Sequence, residues 1–552
     1  MDCDLTENIA AHLIQRACQQ PYAAAVIFPE GRDRFGHVSY THLTYQQLDQ
    51  ESTRIACALT KYGVQPGDRT VLMVKPGLEF FSLTFALFKL GAIPVLIDPG
   101  MGVKNIKRCL DEVEPQIFIG IDKAHLARLM LGWGKKSLRL NITTGLSLRS
   151  SLPTLRKLLR NMSDETSFSC HQPQPDETAA ILFTSGSTGP PKGAIYTHIN
   201  FNAQIRALKK LYSIQPGEID LCTFPLFALF APALGMTAVI PDMDATRPAQ
   251  VNPQRIFEAI DNFGVTNMFG SPALLRRVAE QGVRLGKTLP TLKRVISAGA
   301  PVPASVLEQF SSMLDEDSQI FTPYGATESL PVCSIGSQTL LGETRYLSDQ
   351  GKGICVGQPI IDLNIIAIDD DPITQWSDTL ALGNGQIGEI CVRGPQVTTG
   401  YFNRSHSNAL SKIPVEDGTF FHRMGDVGYR DGQGRIWFCG RKDHRVVTGA
   451  ETLFTIPCEA VFNTHEKVFR TALVGIGTKP HQRPVLCVEL QQPVGKEQHQ
   501  RIRDELRQIQ KNFPHTKAIE EILFHPRFPV DIRHNAKIFR EKLAVWAAKE
   551  LS

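Results

Sequence analysis

The stretch Ile181-Leu182-Phe183-Thr184-Ser185-Gly186-Ser187-Thr188-Gly189-Pro190-Pro191-Lys192-Gly193 decides how the rest of the chain is read. Its start, Ala179 to Phe183, is an apolar run of the kind that forms a buried strand. It then gives way to hydroxyl side chains, glycines, two prolines and one lysine. Glycines let backbone N–H groups curl round an anion. Hydroxyls donate to phosphate oxygens, and Lys192 adds a point charge. A polar hairpin turn is the plain alternative, since Ser-Gly and Gly-Pro punctuate loops everywhere. The density of anion-binding groups argues against it. The stretch is not a Walker A loop, because no Ser or Thr follows the lysine.

Working outward, a chain of 552 residues needs at least two domains. A hydrophobic content of 42% and a charged content of 21% fit a globular enzyme. The net charge of +4 is small for this length, so nucleic acid is not an expected partner. Twelve cysteines, none in a C-x-x-C pair, point to free thiols rather than a disulfide framework or a zinc site. The N-terminus, Met1-Asp2-Cys3-Asp4, lacks a signal-peptide profile, and a cytoplasmic location is expected.

Residues 1 to about 175 alternate helical and strand patterns, the mark of α/β layers with parallel strands. Thr44 is a candidate cap for a helix, Thr70 to Val74 a strand, and Glu79 to Leu90 an apolar helix ended by Gly91. Thr223 to Ile240 is free of charge but broken by Pro225, Pro232 and Gly235; a buried segment lining an apolar pocket is expected there rather than a membrane span. Gly120 to Ser163 holds nine Lys and Arg residues with Asp122 as its only acid, and Leu152, Leu155, Leu158 and Leu159 fall at helical spacing among them. A solvated helix with one buried stripe is the plain reading. Peripheral contact with an anionic membrane through residues 120–163 is the sharper one. Gly353 to Phe438 reads as a small β subdomain, and the residues after Gly440 as a compact α+β module with helices near 501–510 and 536–550.

Four further motifs carry chemistry. Ser297-Ala298-Gly299-Ala300-Pro301 follows a strand and lets a flat ring approach backbone. In Phe321-Thr322-Pro323-Tyr324-Gly325-Ala326-Thr327-Glu328 an aromatic can stack on a base, Thr327 can bond a phosphate, and Glu328 is a hard oxygen ligand suited to Mg²⁺. Asp426, in Met424-Gly425-Asp426-Val427-Gly428-Tyr429, can accept both hydroxyls of a ribose, and Arg441 can add a charged donor. Lys537 sits in a polar turn, Asp531 to Lys537, before the last helix. Singly, each is more often a turn or a solvated side chain.

Together, in this order and spacing, the blocks resemble the adenylate-forming enzymes: acyl-CoA synthetases, luciferases and peptide-synthetase adenylation domains. The resemblance covers nearly the whole chain. It implies a large N-terminal domain, residues 1–440, of parallel-sheet α/β layers plus a β subdomain, and a small mobile α+β domain, residues 441–552, swinging about Asp443. It implies ATP and Mg²⁺ as cofactors. Thr184, Ser185, Gly186, Ser187, Thr188, Gly189 and Lys192 would hold the triphosphate; Ala298, Gly299, Ala300, Pro301, Tyr324 and Gly325 would frame the adenine. Thr327 would touch the α-phosphate, Glu328 the metal, Asp426 and Arg441 the ribose. Lys537 would bridge carboxylate and α-phosphate, so the catalytic set is Lys537, Thr184, Lys192 and Glu328.

Three departures narrow the reading. Ala228 stands where many acyl-CoA synthetases carry a histidine. No acid lies between Asp220 and Asp242 to hold an amino-acid ammonium. The Thr448 to Pro457 segment is about two residues longer than usual for the family. The segments Phe227–Phe230, Val239–Ala249, Val356-Gly357 and Asp531–Lys537, with Arg540–Ala547, look like the β-lactone synthetases of bacterial long-chain olefin biosynthesis. That resemblance implies a long-chain 2-alkyl-3-hydroxy fatty acid, activated as acyl-AMP and cyclised without CoA, and assembly with thiolase, reductase and decarboxylase partners. A fatty acid–CoA ligase and a non-catalytic nucleotide-binding scaffold remain the alternatives at this point.

Overall fold

The computed structural model describes residues 7–145, 152–160, 162, 168–184, 190–530 and 538–552. Local rules read from the sequence hold at several element ends. Thr44 accepts from the backbone N–H of Gln47, whose side chain reaches back to Thr44 N, so a full capping box opens the helix Tyr45–Lys61. The helix Leu78–Leu90 is almost wholly buried and stops at Gly91, whose φ of +79° is left-handed. A Cβ there would lie 2.6 Å from the His171 ring, so both conformation and space demand glycine. Lys89 in that helix is buried, yet its ammonium reaches Asp49 Oδ1 at 2.6 Å and Thr53 Oγ1 at 2.8 Å.

Two large sheets result. In the first, the strands Thr178–Thr184, Ile93–Ile97, Arg69–Met73, Ile117–Gly120 and Leu140–Thr143 run parallel in that spatial order. Their apolar runs are buried between helices, as parallel strands require. Lys192–Thr197 and then Gly400–Tyr401 are added antiparallel at one edge. The second sheet has a parallel centre, Ala24–Arg32, Thr237–Val239, Ile219–Cys222, Asn267–Phe269, Arg294–Ile296 and Gln319–Ala326. It continues through the hairpin strand Ser329–Gly336 into antiparallel strands between residues 354 and 441, the β subdomain expected from the glycine-rich turns.

Residues after 440 build a separate core. The strands Val468–Ile476, Arg483–Leu490 and Glu521–Phe524 form a three-stranded sheet, packed with the helices Thr455–Phe462, Lys496–Lys511 and Arg540–Glu550. The bidentate pair Arg540–Glu459 fastens the last helix to the first of these.

The charge-free segment 223–240 folds as two short helices, Pro225–Ala228 and Phe230–Leu234, and the strand Thr237–Val239, all in or against the first core. Among the described residues no helix is long and apolar enough to cross a membrane. Farther back, Leu155, Leu158 and Leu159 on the helix Leu155–Arg160 pack into the same core, against the helix Tyr45–Lys61. Those leucines are the buried stripe of the plain reading and offer nothing to a bilayer.

Candidate active site

Ile181 and Phe183 lie in the middle of the first sheet, in register with Val95 and Ile97. The chain then returns antiparallel, with Thr184 opposite Lys192 and Phe183 opposite Gly193. Both ends of the phosphate stretch are thereby clamped. A Cβ on Gly193 would sit 2.9 Å from both Ile181 Cγ2 and the Phe183 ring, which explains the glycine after the lysine. Ser185, Gly186, Ser187, Thr188, Gly189 and Lys537 lie outside the described residues, as does the side chain of Thr184.

Lys192 meets a residue that the sequence did not single out. Tyr401 pairs with Ala194 on the free edge of the Lys192–Thr197 strand, and the Lys192 ammonium stands 4.9 Å from the centre of its ring. The Tyr401 hydroxyl donates to Glu328 Oε1 at 2.6 Å. Burial and the Glu328 carboxylate both push the Tyr401 pKa far up, so the hydroxyl stays a donor. Thr327 and Glu328 form the two-residue turn between Gln319–Ala326 and Ser329–Gly336. Tyr196 Oη donates to the Thr327 carbonyl, and Thr398 N donates to the Glu328 carbonyl at 2.8 Å. A Cβ on Gly325 would fall 2.6 Å from Ser329 O, so the approach to this turn also needs glycine.

Asp426 and Arg441 stand opposite each other on the antiparallel strands Phe420–Arg430 and Ile436–Arg441. Arg441 Nη1 lies 3.0 Å from Asp426 Oδ1 and donates to Met424 O. Tyr324 Oη donates to Asp426 Oδ2 at 2.7 Å. Tyr324, expected to face a base, therefore also anchors the ribose candidate. Burial raises the Asp426 pKa, while Arg441 and Tyr324 pull it back. Asp426 Oδ1 accepts no hydrogen bond of good geometry, although it is buried beside Arg441. The Arg441 pKa is raised first by Asp426 and further by Tyr324, Glu328 and Tyr401, so the two halves of the site share one electrostatic field.

Ala298, Gly299, Ala300 and Pro301 leave the strand Arg294–Ile296, which pairs in parallel with Gln319–Ala326. Ser297 N donates to Phe321 O at 2.9 Å, so this segment and Thr322–Tyr324 emerge side by side from carboxyl strand ends. Gly299 has φ +95°, and the buried Ser297 Oγ has no hydrogen-bond partner.

Tyr196, Phe201, Phe269 and Lys412 also escaped the sequence reading. Tyr196 stacks on Phe201 with centroids 4.8 Å apart, and Phe201 contacts Phe230 edge-on at 6.2 Å. Phe224, Phe227 and Phe269 form a second aromatic group, and Ala228 is fully buried. Tyr196 thus joins the Thr327–Glu328 turn, by its hydroxyl, to an apolar wall, by its ring. Asp220 is buried among Asn267 and Cys222 with its pKa raised to about 6 by burial, and is in no position to receive an ammonium. Lys412, opposite His422 in register, sends its ammonium to Thr398 O and over the Phe420 ring. Burial pushes its pKa down to about 7 against the pull of Glu328. A strand of two residues and a lone lysine leave no periodic signal that could have marked Tyr401 or Lys412.

A single carboxylate beside a lysine and a polarised tyrosine suits Mg²⁺, which takes one or two carboxylates plus phosphate oxygens. Among the described residues no cluster of three His, Cys, Asp or Glu forms a cage of its own.

Residues 13–402 match the family of AMP-binding enzymes. The chain is 48% identical over 98% of both chains to an olefin β-lactone synthetase of Xanthomonas campestris pv. campestris. It is 49% identical to an olefin β-lactone synthetase of Stenotrophomonas maltophilia, over 99% of this chain and 98% of that one. The fold matches O-succinylbenzoate coenzyme A synthetase of Bacillus subtilis in complex with ATP and magnesium ion, with a TM-score of 0.74, 21% identity, and 96% and 98% of the two chains covered. On these matches, the chain belongs to the AMP-binding enzyme family.

Proposed function

We propose that this protein is an AMP-forming ligase that activates a long-chain 2-alkyl-3-hydroxy fatty acid with ATP and closes it to a β-lactone. One observation carries the reading: Tyr196 ties the Thr327–Glu328 turn to an aromatic, acid-free wall, beside the Asp426–Arg441 pair. A nucleotide and an alkyl chain can then share one cleft. Each buried methylene favours the chain by about 0.8 kcal/mol. The names of the two bacterial relatives support the β-lactone product over the thioester.

Asp426 accepts the ribose hydroxyls, and Arg441 holds that carboxylate charged. Ala298 to Pro301 and Tyr324 flank the base. Lys192, together with the hydroxyl-rich loop Thr184–Gly189, receives the phosphates. Glu328 would hold Mg²⁺, which would supply charge neutralisation at the phosphates. The substrate carboxylate oxygen bonds the α-phosphorus while the bond to pyrophosphate breaks; Lys537 screens the two anions from each other. The 3-hydroxyl oxygen then bonds the acyl carbon, its proton is released, and the bond to AMP breaks. Attack within one molecule gains from proximity, and anhydride cleavage offsets ring strain.

The domain boundary belongs at 440/441. Among the described residues, core side chains after that point form two clusters of their own, and the ion pairs Lys442–Glu389 and Arg445–Asp370 cross the boundary. Peripheral membrane contact within residues 120–163, cytoplasmic placement, and assembly with enzymes that make the hydroxy acid and consume the lactone are part of the same proposal. The test is AMP release and mass spectrometry of products from a 2-alkyl-3-hydroxy acid, with and without CoA. Lactone and AMP without CoA are expected. Strict CoA dependence with a thioester product would show a CoA ligase instead. Lys537→Ala with AMP formation intact would remove the lysine from its role.

A further inference from the structure

The helix Asp122–Leu131 is built inside out. Its inward side sets only Ala124 and Ala127 against the core and adds polar groups to them: His125 is 2% exposed, its Nε2 lies 3.0 Å from Ile142 O, and its ring meets Phe118 edge-on at 5.0 Å. Arg128 also turns inward, its guanidinium 5.7 Å from the Phe118 ring. The large apolar side chains face out. Leu126, Leu129, Met130 and Leu131 are 52%, 45%, 76% and 38% exposed. Single exposed leucines are ordinary; a contiguous set on one helix, with a histidine and an arginine taking the core side, is not.

The rim of this face has one sign. Lys123 precedes it, and Lys135 and Lys136 follow, all exposed. Asp122 is the only acid from Gly120 to Ser163, and it accepts from Thr143 Oγ1 at 2.7 Å. Lysine is depleted from protein–protein contacts, whereas lysine beside leucine marks helices that lie in a membrane interface. We propose that Leu126, Leu129 and Met130 insert into the headgroup region of an anionic phospholipid bilayer, with Lys123, Lys135 and Lys136 on the lipid phosphates. This rests on the membrane contact proposed above and moves it from the buried leucines 155–159 to this helix.

The test is co-sedimentation of the full-length protein with vesicles of phosphatidylcholine, with and without phosphatidylglycerol, at low and high salt. Binding is expected to need the anionic lipid and to fall with salt. Leu126→Ser with Met130→Ser should cut binding about tenfold. Lys123→Gln with Lys135→Gln and Lys136→Gln should abolish the salt-sensitive part, and neither set should alter AMP release from a dispersed substrate. No binding by the parent protein at low salt would overturn both the membrane contact and this surface. Salt-sensitive binding untouched by either set would leave a membrane contact and overturn this surface. Self-association seen by light scattering, lost in the Leu126/Met130 variant without any vesicle binding, would assign the face to a second copy and overturn the proposal.

Discussion

Tyr401 holds the carboxylate of Glu328 with a 2.6 Å hydrogen bond while its ring receives the ammonium of Lys192. One side chain, on a strand of two residues, thereby sets the spacing between the ammonium proposed for phosphate and the carboxylate proposed for metal.

Tyr401→Phe keeps the ring and removes that bond. A hydrogen bond to a charged group is worth about 1.5–3 kcal/mol. The variant is expected to lose ten- to a hundredfold in AMP-forming kcat/KM, and its Mg²⁺ requirement should rise. Its melting temperature should stay within a few degrees. Steady-state assays across a Mg²⁺ series check this.

Asp426→Asn leaves the shape and removes the charge that Arg441 faces at 3.0 Å. The KM for ATP is expected to rise by at least tenfold. The parent should prefer ATP over its 2′-deoxy analogue, and the variant should lose much of that preference. Equal discrimination in both would take Asp426 out of the ribose site.

Two buried histidines tie the N-terminal helix to the helix His198–Tyr212. His12 Nε2 is 3.0 Å from Asn202 Oδ1, and His198 Nδ1 accepts from Ile9 N. Burial holds both pKa values down to about 4, below the ordinary 6.5. The unfolded chain therefore binds these protons more readily. Stability is full above pH 6.5 and drains as pH falls from 6.5 to 4, by roughly 3 kcal/mol per ring. Urea midpoints measured against pH should show the slope, and His198→Asn should flatten it.

Lys412 gives a pH dependence of the same sign in a higher window. Its folded pKa of about 7 lies below the ordinary lysine value because burial disfavours the charge. Between pH 7 and the ordinary value the unfolded chain holds the extra proton, so stability from this group climbs across that window. Lys412→Met should be more stable than the parent at pH 7, and the gap should close toward pH 10. Differential unfolding curves at several pH values decide it.

The sequence was most legible where structure is local. Thr44 and Gly91 bound their elements as capping and left-handed geometry dictate, and the apolar start of the phosphate stretch announced the strand Thr178–Thr184 but not the antiparallel return Lys192–Thr197. Lys192, Glu328, Asp426 and Arg441 were legible because each sits in a dense motif, and the fold brings them to one face. Tyr401 was not, because its role depends on an edge pairing with residues far away in the chain. Leucine spacing marked the buried stripe at 155–159 and passed over the leucines at 126–131. Periodicity gives a stripe but not the side on which the core lies. The 155–159 leucines went inward, and those at 126–131 went outward.

The pairing of Gly400–Tyr401 with Lys192–Thr197 also bears on how the chain is made. While the ribosome is still adding the β subdomain, the Lys192–Thr197 edge of the nascent chain has open N–H and C=O groups and no strand to take them. Such an edge invites pairing with neighbouring polypeptides. Chaperone protection during translation should matter most until Tyr401 has emerged, and chains truncated before it should aggregate rather than bind nucleotide.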